Sequence, residues 1–166
     1  PPPPPPPTDE IQVRGAPVMR GYRLRPTETV LALSTDGWLH TGDAGAWDAD
    51  GSLRVVDRLR DLVVSGGVNV SPTEVETVLS RHPAVADVGV VGAPDPEWGE
   101  VVVAFVVPAA GCPPPALDEL RALGAEHLSA AKLPRRLVAI DTIPRTPGGK
   151  PMRRLLVGRL DVRAKA

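Results

Sequence analysis

Two valine-rich runs, 85–91 and 101–107, constrain the fold of this chain more than any other feature. β-Branched side chains are stiff at χ1 and fit a pleated surface, so both runs read as strands. Aromatic residues make up only 3% of the sequence: Tyr22, Trp38, Trp47, Trp98 and Phe105. Any core is therefore aliphatic and valine-rich. With 42% hydrophobic residues, 166 residues suffice for one domain, or one domain plus a fragment.

The remaining segments place helices and turns around these strands. Ile11 and Val13 mark a short strand at 9–14, and glycines and prolines punctuate 15–26. A β-hairpin is expected over 38–57, with strands at 44–47 and 53–56 and a turn at Asp48-Ala49-Asp50-Gly51. Another short strand, 62–64, runs into a Gly66-Gly67 break. Ser71-Pro72-Thr73-Glu74 is a helix start: Ser71 can cap, Pro72 suits the first turn, and Glu74 completes a capping box. Val75, Val78 and Leu79 then share one face. Leu117, Leu120, Leu123 and Leu128 predict a second helix, 137–140 a strand, and 151–160 a third helix. Strands mixed with helices, without strict βαβ alternation, define an α+β class: a small domain with a short central sheet flanked by helices. A boundary is expected at 58–61, because the hairpins before it lack apolar material for a core of their own.

Composition excludes several classes of function. The net charge of −1 provides no overall field for nucleic acid or anionic membranes. The tail 150–166 carries six cations against the single carboxylate of Asp161, but lacks the interleaved aromatics of single-strand binders. It reads as a solvated helix face. The one cysteine, Cys112, cannot form an internal disulfide and reads as a loop residue. His40, His82 and His127 have no metal-like spacing, and no metal site is expected. No apolar run reaches membrane-spanning length. The chain starts with seven prolines, not with a basic segment followed by an apolar one. A cytoplasmic location is the expectation, with 1–8 a proline-rich linker or truncation boundary in polyproline II form.

A few polar residues suggest chemistry. Asp43 follows Thr41-Gly42 just ahead of a strand, where a carboxylate can accept hydrogen bonds from both hydroxyls of a ribose. Taken alone, Thr-Gly-Asp reads as a turn aspartate. Arg58 and Arg60 flank the boundary; a guanidinium can clamp phosphate or ribose oxygens, or simply be solvated. The glycines of Ser65-Gly66-Gly67 permit close approach of a ligand to the backbone, or form a tight strand-to-strand turn. Lys150 follows Gly148-Gly149, a lysine at the tip of a mobile loop. There it can stabilise negative charge developing on a phosphate. Walker A spacing is missing.

Three strings occur in fixed order: Asp36-Gly37-Trp38-Leu39-His40-Thr41-Gly42-Asp43, then Asp57-Arg58-Leu59-Arg60-Asp61, then Pro144-Arg145-Thr146-Pro147-Gly148-Gly149-Lys150. Together they resemble the C-terminal portion of the AMP-forming adenylating enzymes, the superfamily of acyl-CoA synthetases, peptide-synthetase adenylation domains and firefly luciferase. The resemblance spans 9–160. Asp9 stands where a glycine is common.

That resemblance implies a division of labour. Residues 9–57 would be the end of a larger AMP-binding lobe, 58–61 the hinge, and 62–166 the C-terminal domain. Asp43, Arg58 and Thr41 would contact the nucleotide. Arg60 would be the pivot, Ser65, Gly66 and Gly67 would line the CoA tunnel, and Lys150 would catalyse adenylation. The string 65–76 looks more like acyl-CoA ligases than peptide-synthetase domains. The implied activity is ATP-dependent ligation of a carboxylic acid to CoA, with ATP, Mg²⁺ and CoA as substrates or cofactors. The expected partner is an N-terminal lobe, upstream in the same gene or on a separate chain; without it the fragment is expected to be inactive. The alternatives are a non-catalytic binding or regulatory module, half of a split enzyme, and an adenylation fragment serving a carrier protein.

Overall fold

The computed structural model describes residues 9–163, with side chains described to Leu160. The proline run and the last three residues of the basic tail lie outside the described residues. The chain divides into two units, the first ending at Arg60 and the second beginning at Asp61.

In the first unit, β1 (Asp9–Val13), β2 (Leu39–Trp47) and β3 (Leu53–Arg58) form an antiparallel sheet in the order β1-β2-β3. The β2–β3 hairpin closes at the expected Asp-Gly turn, where Ser52 N–H donates to Asp50 Oδ1. β2 begins at Leu39, so Thr41, Gly42 and Asp43 lie inside a strand and not ahead of one. The helix α1 (Pro26–Ala32) is also absent from the sequence reading. Its start signals are present, with Pro26 in the first turn and Glu28 near the N-terminus. Its apolar residues, however, form no buried stripe that would betray a helix: Val30 is 77% and Leu31 75% exposed. Ala44 and Ala46 are the buried apolar side chains of this unit.

The second unit is built on a five-stranded sheet. The hairpin of β4 (Val63–Ser65) and β5 (Val68–Val70) leads into α2 (Pro72–Leu79), then β6 (Val85–Asp95) and β7 (Gly99–Pro108). The helix α3 (Leu117–Ala125) crosses to β8 (Arg136–Ala139), and α4 (Arg153–Arg163) closes the unit. β7 is central. It pairs antiparallel with β6 along one edge; the other edge pairs with β4 at Gly99 and, in parallel, with β8 at 103–106. The strand β5 occupies residues to which the sequence pattern assigned no element, and it makes the Gly66-Gly67 break a strand-to-strand turn.

Period-2 alternation along β6 and β7 feeds two cores. Val102, Ala104 and Val106 join Val88 and Val90 beneath α2 and α3. Val101, Val103 and Phe105 join Val91 and Ala93 with Leu156 and Leu160 of α4. A sheet covered on both faces needs near-continuous apolar strands, which explains the valine runs. Gly89 allows α4 to sit close, since a Cβ there would lie 2.9 Å from Leu156 Cδ1.

Ser71 caps α2 by accepting from Glu74 N–H at 3.3 Å. The Glu74 carboxylate also takes the buried Lys132 ammonium at 2.7 Å to each oxygen. The open edge of β6 is covered by a second ion pair. Glu76 Oε1 accepts Val90 N–H at 2.8 Å, and Arg153 Nε donates to Val90 O at 3.2 Å. Arg153 Nη2 meets both Glu76 oxygens at 3.0 Å. Two side chains thus occupy the place of a neighbouring strand and block edge pairing.

Two measurements follow. Glu76→Ala or Arg153→Ala should each destabilise the second unit by about 2–4 kcal/mol in denaturant melts, because each strands a mostly buried charge. A loss below about 0.5 kcal/mol, the level of ordinary surface changes, would contradict the clamp. Amide exchange should be faster across 9–60 than across 61–163, since local stability follows buried apolar contact. Equal protection in both units would count against this.

Candidate functional site

The hairpin register does what sequence distance conceals. Asp43 on β2 stands directly opposite Arg58 on β3, and Arg58 Nε contacts Asp43 Oδ1 at 2.8 Å. Arg58 Nη1 also donates to Thr41 O at 3.2 Å. Thr41, Asp43 and Arg58 are thereby brought into one cluster. Thr41 Oγ1 donates to Ile11 O at 2.6 Å and accepts Asp43 N–H at 3.1 Å. Gly42 takes φ +71°, a region its neighbours would enter only with strain.

Glu10 is a supporting residue that the sequence reading missed. Its Oε1 accepts Gly42 N–H at 3.1 Å, and its Oε2 lies 2.7 Å from His40 Nδ1. The carboxylate therefore braces the backbone just before Asp43 from the adjacent strand. Alternation could have exposed it: Glu10 and Gln12 point to one face of β1, towards His40. The hydrogen bond with His40, followed by that from Gly42, holds the Glu10 carboxyl below its usual 4.5. Beside it, a cleft of about 590 Å³ is lined by Tyr22, Arg25, Glu28, Leu31, His40 and Thr41, among others. The cleft lies wholly within the first unit.

In the second unit, Gly66 and Gly67 occupy the two turn positions of the β4–β5 hairpin, between the paired Ser65 and Val68. Both have positive φ, the primed-turn geometry that matches strand twist. Gly66 N–H donates to Trp98 O at 3.0 Å, and a Cβ on Gly66 would lie 2.9 Å from the Trp98 ring. The other residues of this corner are Ser65, which is buried, and Arg135, whose guanidinium stacks 3.8 Å from the Trp98 centroid.

Lys150 is exposed. It follows a turn closed by Gly149 N–H to Thr146 O at 2.8 Å and Thr146 N–H to Lys150 O at 2.9 Å. The Gly-Gly pair therefore sits in a hydrogen-bonded turn. Arg60 ends the first unit, in the short turn Leu59–Asp61. Among the described residues no group of three or more His, Cys, Asp or Glu side chains could hold a metal ion. No helix among them is long and apolar enough to cross a membrane.

Residues 74–150 match the AMP-binding enzyme C-terminal domain. The chain belongs to the superfamily of AMP-forming adenylating enzymes that carries this domain. It is 47% identical over 143 residues to the 3-[(3aS,4S,7aS)-7a-methyl-1,5-dioxo-octahydro-1H-inden-4-yl]propanoyl:CoA ligase of Mycobacterium tuberculosis, covering 85% of this chain and 28% of that ligase. It is 48% identical over 134 residues to a fatty acid–[acyl-carrier-protein] ligase of Streptomyces coeruleorubidus, covering 81% of this chain and 25% of the relative. Among solved structures, the amide bond synthetase McbA of Marinactinospora thermotolerans superposes with a TM-score of 0.79 at 42% identity, covering 92% of this chain and 31% of that one. The chain thus spans about a quarter to a third of the length of these relatives.

One consequence can be read by titration. Because the folded-state pKa of Glu10 is depressed, its contribution to the first unit is present above the unfolded-state value and is lost as pH falls through the folded value. The Glu10 carboxyl resonance should titrate below 4.5, and Gly42 amide protection should fall over the same range. A Glu10 midpoint at or above 4.5 would remove the brace.

Proposed function

We propose that this chain is the C-terminal part of an ATP-dependent acid–CoA ligase. The observation that carries the reading is the Asp43–Arg58–Thr41 cluster, a paired carboxylate and guanidinium registered across one hairpin. It is supported by Lys150 on its closed turn and by the likeness to CoA ligases.

In this reading Asp43 accepts the hydroxyls of the ATP ribose, and Arg58 and Thr41 hold the nucleotide beside it. The oxygen of a carboxylic acid attacks the α-phosphate; the bond to pyrophosphate breaks, leaving acyl-AMP. The Lys150 ammonium offsets the negative charge that develops at the α-phosphate. The second unit then turns about Arg60, withdrawing Lys150 and presenting the Ser65-Gly66-Gly67 turn. The CoA thiolate attacks the acyl carbonyl, and AMP leaves. One small domain would thus serve two half-reactions. Mg²⁺ would arrive with ATP, held by its phosphates. A cytoplasmic location accompanies this reading, as ATP and CoA are its substrates.

On this reading Thr41, Asp43 and Arg58 supply only part of a site. The rest would come from a larger lobe of the kind that the relatives' greater length accommodates. Catalysis depends on holding reactants in a shared geometry, so the chain alone should give no ATP–pyrophosphate exchange. Joined to the N-terminal lobe of a related CoA ligase, it should support exchange, and Lys150→Ala should lower that rate about a hundredfold or more. Exchange untouched by Lys150→Ala would overturn the assignment. Transfer to a carrier protein but not to CoA would instead favour the carrier reading, to which the Streptomyces relative gives support.

A further inference from the structure

We propose that Arg145 is a positioning residue for Lys150, acting by clamping the single peptide plane that joins Gly149 to Lys150 and anchoring it to β6 through Asp87.

The clamp has two sides. The oxygen of that peptide, Gly149 O, accepts from Arg145 Nη1 at 2.7 Å. Its N–H, on Lys150, donates to Thr146 Oγ1 at 3.2 Å. A peptide unit held at both its oxygen and its hydrogen cannot rotate without breaking one contact, and its plane sets the direction in which Lys150 leaves the backbone. The long side chain beyond Cβ stays in solvent, free to reach a substrate.

The clamp is itself tied to the rigid part of the domain. Arg145 Nε reaches Asp87 Oδ2 at 3.2 Å, and Nη2 reaches Oδ1 at 2.6 Å, a two-pronged ion pair. Asp87 lies on β6, paired with Val107 of β7, and its Oδ1 also accepts Val88 N–H at 2.9 Å. Around the turn, Arg145 bridges to Pro151, and Met152 N–H donates to Pro144 O at 2.8 Å. The path runs from the central hairpin through Asp87 and Arg145 to the Lys150 backbone.

This arrangement explains why an arginine is needed. Its planar fork spends two donors on Asp87 and still has Nη1 for Gly149 O. A lysine offers one nitrogen on a flexible stem and cannot span both acceptors in fixed geometry. Gly148 and Gly149 leave the turn little intrinsic stiffness, so the Arg145 contact adds to the few bonds that Thr146 makes within it. The pair is about one-third exposed on each side. Exposed pairs contribute little to global stability, so the effect is local order at the turn.

The test uses the 166-residue chain first. Arg145→Ala and Arg145→Lys should each speed amide exchange at Gly149 and Lys150 about three- to tenfold, the range of one exposed charge-assisted contact. Val103 and Phe105 amides, in the β6–β7 ladder, should keep their rates. Unchanged exchange at Gly149 and Lys150, or full protection in Arg145→Lys, overturns the clamp. The catalytic consequence rests on the ligase reading and is measured in the lobe-joined enzyme. There Arg145→Lys should lower kcat for acyl-AMP formation about tenfold or more, as small misplacements of a catalytic group do, with KM for ATP unchanged. It should leave thioester formation from supplied acyl-AMP as it was. Faster exchange with unchanged kcat overturns the positioning role. The Lys150→Ala control isolates the other failure: if that variant keeps full activity, the adenylation reading falls, and positioning for catalysis falls with it.

Discussion

The structure of the second unit depends on burying β7 on both faces. Val102, Ala104 and Val106 point one way, Val101, Val103 and Phe105 the other, and all six are almost wholly inaccessible. A strand of this kind cannot sit at a surface, so helices must cover it on each side. The helices α2 and α3 cover one face and α4 the other. Once that is settled, both candidate loops have their places. The Gly66-Gly67 turn is held against Trp98 in the turn of the β6–β7 hairpin. The Lys150 turn is held against Asp87 near its far end. The Glu76–Arg153 pair then ties α2 and α4 to the same Val90 peptide. The residues that follow each loop are thus referred to one strand, and a domain built this way can move as a body without losing its internal geometry.

The first unit follows a different logic. It buries little, and its order comes from backbone pairing and polar contacts across β1, β2 and β3. Glu10 braces Gly42, Thr41 ties Asp43 N–H to Ile11 O, and Arg58 spans Asp43 and Thr41. Side chains such as Leu24, Val30 and Leu31 stay exposed. A polar cluster on a lightly buried sheet keeps its groups near the surface, as the nucleotide-binding role proposed for them requires.

Legibility in the sequence tracked the range of the interaction concerned. The strands at 85–91 and 101–107, the Ser71 cap and the hairpin turn at 48–51 were readable because each depends on near neighbours: β-branching, a hydroxyl three residues from an N–H, an Asp-Gly pair. The helix α1 was not, because its apolar residues face outward and show no stripe. The strand β5 was not, because three residues between a Gly-Gly pair and a helix cap show no strand pattern until β4 lies beside them. The motif residues themselves were legible through family resemblance, but their supports were not. Glu10 braces a strand 32 residues away, and Asp87 anchors Arg145 from 58 residues away.

By itself, then, the sequence determined the class of fold, the placement of most strands and helices, and the residue types available for chemistry. Those follow from local propensity and from the period of apolar residues, which any short window of the chain contains. Only the tertiary structure decided that Asp43 faces Arg58, that Arg145 joins the Gly149–Lys150 peptide to Asp87, and that an ion pair caps the edge of β6. Each of these is a contact between residues far apart along the chain. Such contacts form only after loop closure brings two elements together, and register, not composition, selects which side chains meet.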